Sequence, residues 1–119
     1  MIGVATVAIL TAGHTRGLAQ DKLHLQVSPT VSMAPASIII RAFVEHDANN
    51  RELELVADSS EFYRRTVMEL DGESAPKVNE LRINDVPGGE YDVTATLTDS
   101  HGERTVVRRS IMVMSLNSR

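Results

Sequence analysis

Three polar turns hold most of the residues in this chain that could do chemistry. They are His46–Asn50, Asp71–Pro76 and Asp99–Gly102. Between them they carry His46, Asp47, Asn49, Asn50, Asp71, Glu73, Asp99 and His101. Calcium is held by carboxylate and amide oxygens, so the aspartates are its candidate ligands. Zinc would take the two histidines with one acid. Neither an EF-hand nor an HExxH spacing is present. Turns also recruit Asn, Asp, Ser and Gly for purely conformational reasons. His46, Asp47, Asp71, Asp99 and His101 are therefore metal candidates by residue type only, and the sequence implies no cofactor.

Nucleophilic catalysis finds no footing. Ser100 stands beside His101, but neighbours on a turn point apart and cannot form a nucleophile–base pair. His24 alternates outward on a strand. No glycine-rich loop opens a helix, so no phosphate cradle is expected. No catalytic residue is assigned and no enzyme is expected. Sugar stacking needs exposed aromatic platforms. The chain has two Phe and two Tyr. Tyr63 and Tyr91 are expected in the core, which leaves Phe43 and Phe62 for a glycan. Arg64-Arg65 and Arg108-Arg109 could form a basic stripe for an anionic partner. They could equally guard strand edges and pair with nearby acids.

Strands must position these turns. Leu81 to Val113 carries three alternating apolar/polar runs with turns at Val86–Gly89 and Asp99–Gly102. In the middle run Tyr91, Val93, Ala95 and Leu97 alternate with polar residues, as in a half-buried antiparallel strand. Upstream, Lys22–Val27 alternates, is interrupted at Ser28-Pro29, and resumes at Val31 and Met33 before Pro35. Two prolines suit an edge strand broken into two pieces. Ala36–Glu45 turns Ala36, Ile38, Ile40, Ala42 and Val44 to one face, with Ile39 and Phe43 on the other. Arg51–Asp58, Phe62–Leu70 and Val78–Asn84 follow. Parity breaks suggest bulges at Arg64-Arg65, which would bring Tyr63 inward, and near Arg108-Arg109. No helical period is sustained. The pattern predicts an all-β fold, a seven-stranded antiparallel immunoglobulin-like (Greek-key) β-sandwich. Alternating strand direction gathers the three polar turns at one end.

Pro87-Gly88-Gly89-Glu90-Tyr91-Asp92-Val93 resembles the corner before strand F in immunoglobulin-like folds, fibronectin type III and PKD-like modules in particular. Val93–Gly102 is similar to the hairpin that follows it in PKD-like domains. The resemblance implies structural roles for Pro87, Gly88, Gly89 and Tyr91. Tyr91 would be the tyrosine-corner residue, its hydroxyl bonded back to the preceding connection. Gly88 and Gly89 would take backbone angles that other residues avoid. The chain departs from the pattern in having no tryptophan. A transthyretin-like or carboxypeptidase-regulatory sandwich also uses a Pro-Gly-x-Tyr turn.

Composition bounds the rest. At 119 residues and 42 % hydrophobic content, the chain can bury one core. A net charge of −4 argues against a nucleic-acid partner, which needs a concentrated basic surface. Ile2–Ala12 is apolar or small, and Gly17 and Ala19 sit at −3 and −1 of a cleavage site before Gln20. Residues 1–19 are thus read as a signal peptide, with a start that lacks basic residues, and 20–119 as one domain. The competing reading is a buried N-terminal strand. Cysteine is absent, which removes disulfides, thiolate metal sites and an acyl anchor. The expectation is a non-catalytic, exported module of the bacterial envelope, periplasmic or secreted, with a protein partner and an interaction or structural role. Two alternatives stand beside it: an accessory domain binding calcium, zinc or a glycan at the loop end, and a fragment of a larger surface protein.

Overall fold

The structure is a computed structural model that describes residues 22–115; the segment read as a signal peptide lies outside the described residues. Eight strands build the described chain: β1 (Leu23–Ser28), β2 (Val31–Met33), β3 (Ala36–Val44), β4 (Asn50–Asp58), β5 (Tyr63–Glu69), β6 (Val78–Val86), β7 (Gly89–Asp99) and β8 (Arg104–Met114). One 3-10 turn, Gly72–Ser74, lies between β5 and β6. The fold is the all-β sandwich that the alternation predicts. One sheet has the order β1-β3-β6 and the other β2-β8-β7-β4-β5. The eighth strand is the second piece of the broken first strand. β1 pairs antiparallel with β3, then the chain crosses and β2 pairs parallel with β8.

The core lies between the sheets. Leu23, Leu25, Ile38, Ile40, Ala42 and Ile83 face Leu53, Leu55, Tyr91, Val93, Ala95 and Val113, all buried. Each comes from one parity of its strand, because successive side chains alternate faces. Burying such a set of aliphatic side chains is worth roughly 1.5–3 kcal/mol each before conformational entropy is charged against it. No disulfide contributes.

Three sequence expectations change here. β5 has no bulge: its register with β4 runs unbroken from Glu52↔Glu69 to Asp58↔Tyr63. Tyr63 is consequently on the outer face and 62 % exposed rather than in the core. β8 has no bulge at Arg108-Arg109 either, since its register with β7 is continuous from Gly89↔Val113 to Thr98↔Arg104. Val106 therefore points outward. The irregularities fall elsewhere, between Ala36 and Ile38 on β3 opposite the end of β6, and between Asn50 and Glu52 on β4. In β6 the extra residue lies near Asp85, whose φ is 59°. That step keeps Asp85 exposed and sends Val86 into the core. Simple alternation after Ile83 would have buried the aspartate instead.

Candidate functional site

Strand direction does gather the three polar turns at one end, and backbone contacts bind them together. The amide of Ser100 donates to the Asn49 carbonyl at 2.7 Å, and the Ser100 hydroxyl to Asn49 Oδ1 at 3.1 Å. The 3-10 turn is pressed against the β3–β4 turn. A Cβ placed on Gly72 would sit 2.9 Å from the Ala48 carbonyl oxygen, and Gly72 has φ +53°, so glycine is required twice over.

Within this cluster the polar groups are largely spent on the turns. Asp47 Oδ1 accepts from the amide of Asn49 at 2.8 Å. Asn50 is buried, and its amide nitrogen donates to the Glu45 carbonyl at 2.9 Å. Asp99 Oδ1 accepts from the amides of His101 and Glu103, both at 2.9 Å. The Glu103 amide does most to hold the Asp99 carboxyl below its ordinary range; desolvation opposes it, and the His101 amide and imidazole, then Lys22, add to the lowering. Arg51 Nη1 donates to the carbonyls of Ala48 at 2.7 Å and Asn50 at 2.9 Å.

A cleft of about 280 Å³ opens beside the turns. It brings Asp47, Asn49, Asn50 and Asp99 together with Lys22, Glu103, Arg104 and Thr105. His46, Asp71 and His101, the other metal candidates, do not line it. Among the described residues no group of three or more His, Cys, Asp or Glu is placed to hold a metal ion. Lys22, Glu103 and Arg104 escape sequence reasoning because they belong to strand ends rather than to turn signatures.

The remaining candidates scatter. Phe62 packs edge-on against Tyr91, with centroids 5.9 Å apart, so it is no free stacking platform. Phe43 lies 5.7 Å from the His24 ring on the outer face of the smaller sheet. The arginine pairs make no stripe: β5 and β8 are separated by β4 and β7, three spacings or about 14 Å. Arg65 pairs with Glu54 on the neighbouring strand instead, and this pairing holds the guanidinium pKa up. At the opposite end of the sandwich Tyr91 is buried and donates its hydroxyl to the Pro87 carbonyl at 2.6 Å. Gly89 has φ +156°, whereas Gly88 does not take a positive φ and abuts Ser115.

No family model matches the sequence, and no curated protein does. Solved structures do resemble the fold. Superoxide reductase (neelaredoxin) from Ignicoccus hospitalis is 13 % identical with a TM-score of 0.63, over 77 % of this chain and 80 % of that one. A point variant of the same reductase is also 13 % identical, with a TM-score of 0.64 over 82 % of this chain and 86 % of that one. A mutant superoxide reductase from Archaeoglobus fulgidus, in the reduced form, is 11 % identical, with a TM-score of 0.57 over 76 % of this chain and 89 % of that one. Identity this low shows a shared fold.

That finding corrects the expectation of a non-catalytic interaction or structural module, together with its accessory-domain alternative. The leading expectation rested on a sandwich pattern that carries no catalytic motif, and the solved structures that share the fold include a superoxide reductase. Of the expected likeness to fibronectin type III and PKD-like modules, what the structure shows is the all-β sandwich. None of the described helices is long and apolar enough to cross a membrane.

Proposed function

We propose that this domain handles superoxide, or a similarly small oxygen species, by one-electron chemistry on a superoxide-reductase-type sandwich. The supporting observation is that the likeness runs whole domain to whole domain, over about four fifths of each chain. Reduction of superoxide takes up one electron and two protons and releases hydrogen peroxide. An external one-electron donor supplies the electron. The described residues do not fit a metal centre built from His, Cys, Asp and Glu, so no step is routed through one. What the chain itself offers is the cleft at the loop end. There Lys22 and Arg104 are the cationic groups that a small anion would meet, in a cleft whose three acids, Asp47, Asp99 and Glu103, outnumber them.

Superoxide consumption by the full chain, with a one-electron donor present, tests this reading. The expected result is one hydrogen peroxide per superoxide with no oxygen released, which separates reduction from dismutation. Replacing Lys22 and Arg104 by Gln should slow the reaction, most clearly at low ionic strength. Decay of superoxide at the rate of the protein-free buffer would overturn the proposal.

A further inference from the structure

The outer face of the larger sheet carries a cluster that the loop end does not use. β2 is inverted for a sandwich strand. Val31 and Met33 point out, 61 % and 46 % exposed, while Ser32 points in. The Ser32 hydroxyl is buried with no hydrogen-bond partner among the described residues. The inversion brings Met33 beside the end of β8, where Met112 and Met114 also face out at 36 % and 50 % exposure. The parallel register pairs Met33 with Met114 and Val31 with Met112. Three of the chain's five methionines therefore meet on one exposed patch.

Spacing allows their sulfurs to converge. Paired residues on adjacent strands lie about 4.8 Å apart, and residues two apart on one strand about 6.6 Å, with side chains on the same face. Each methionine has three rotatable bonds between backbone and methyl to close those gaps. Thioethers are neutral, soft ligands that select Cu(I) over calcium, magnesium and zinc. On β7, Glu90 is the register partner of Met112 and brings a negative charge beside the patch. An aliphatic packing surface would be served as well by Leu, Ile or Val, whereas the recurring atom here is sulfur.

We propose that Met33, Met112 and Met114 form a thioether site for Cu(I), at the β2–β8 junction. This inference stands independently of the superoxide reading, because it concerns binding and is measured without turnover. Anaerobic titration of the full chain against a chromophoric Cu(I) chelator is expected to transfer one Cu(I) per chain. Met33→Leu and Met112→Leu should each weaken binding at least tenfold, and Met68→Leu, on the distant strand β5, should leave it unchanged. Ag(I), a redox-inert mimic, should shift the methyl resonances of Met33, Met112 and Met114 in the unaltered protein but not that of Met68. The silver result decides the matter should a leucine variant fold poorly. Cu(I) remaining with the chelator, equal binding by the triple leucine variant, or silver shifts confined to histidines would each overturn the site.

Discussion

Tyr91 anchors the end of the sandwich away from the polar turns. Its ring is in the core against Phe62, and its hydroxyl closes a 2.6 Å bond to Pro87. Tyr91→Phe keeps the ring and leaves a carbonyl short of a partner, so it should cost about 1 kcal/mol in urea unfolding. Tyr91→Ala opens a cavity and should cost about 3–5 kcal/mol. Ser32 presents the opposite case. Removing its unpartnered hydroxyl with Ser32→Ala should raise stability by about 1 kcal/mol, read as a higher urea midpoint at unchanged slope. Asp99 makes stability depend on pH. Its folded carboxyl titrates below its unfolded value, so its contribution is complete above the unfolded pKa and fades as pH falls through the folded one. The melting temperature of Asp99→Asn should therefore lie below that of the parent at pH 7 and converge with it as the pH is lowered through the acid range. Tyr91 is legible in the sequence because a Pro-Gly turn before an alternating strand fixes its orientation. Tyr63 is not. An aromatic on the wrong parity invites a bulge as its explanation, when an edge strand can simply leave it outside.

At the scale of elements, β8 poses the same difficulty. Val106 breaks the inward phase of Ile111 and Val113, which suggests an extra residue between them. The register is continuous because an outward valine on this strand costs little. The bulge in β6 is hidden by its polarity. The sequence ends this strand at Asn84 and places Val86 in the following turn, and only the burial of Val86 shows that the strand continues through Asp85. Left-handed backbone at Asp85 gives a test. Asp85→Gly should be neutral or stabilise by up to about 1 kcal/mol, whereas Asp85→Val should destabilise by about 1–2 kcal/mol, both by chemical denaturation. The gathering of three turns at one end is legible, since it follows from strand direction alone. Which side chains the cleft collects is not, because Lys22, Glu103 and Arg104 approach from strand ends.

For the molecule as a whole, periodicity is sufficient for the sandwich and insufficient for its use. Alternation reports which face is buried and carries no record of what a fold has been recruited to do. The methionine patch shows the same limit from the other side. Met33 and the Met112-Val113-Met114 run are far apart in sequence, and only the crossing of β2 to the second sheet brings them together. With no disulfide, the core between the sheets carries most of the global stability. Leu55→Ala, at the centre of β4 and fully buried, should cost about 2–5 kcal/mol and leave a single cooperative unfolding transition, seen alike by circular dichroism and tyrosine fluorescence.

The parallel pairing of β2 with β8 also has a mechanical meaning. Tension drawn between the start of the described chain and its end would pull these two strands past one another lengthwise. Their hydrogen bonds, including Met112 N to the Thr30 carbonyl at 2.9 Å and Ala34 N to the Met114 carbonyl at 2.7 Å, would then share the load together rather than open one after another. A domain held by such a clasp yields at higher force when stretched from its ends than when unzipped sideways from β5.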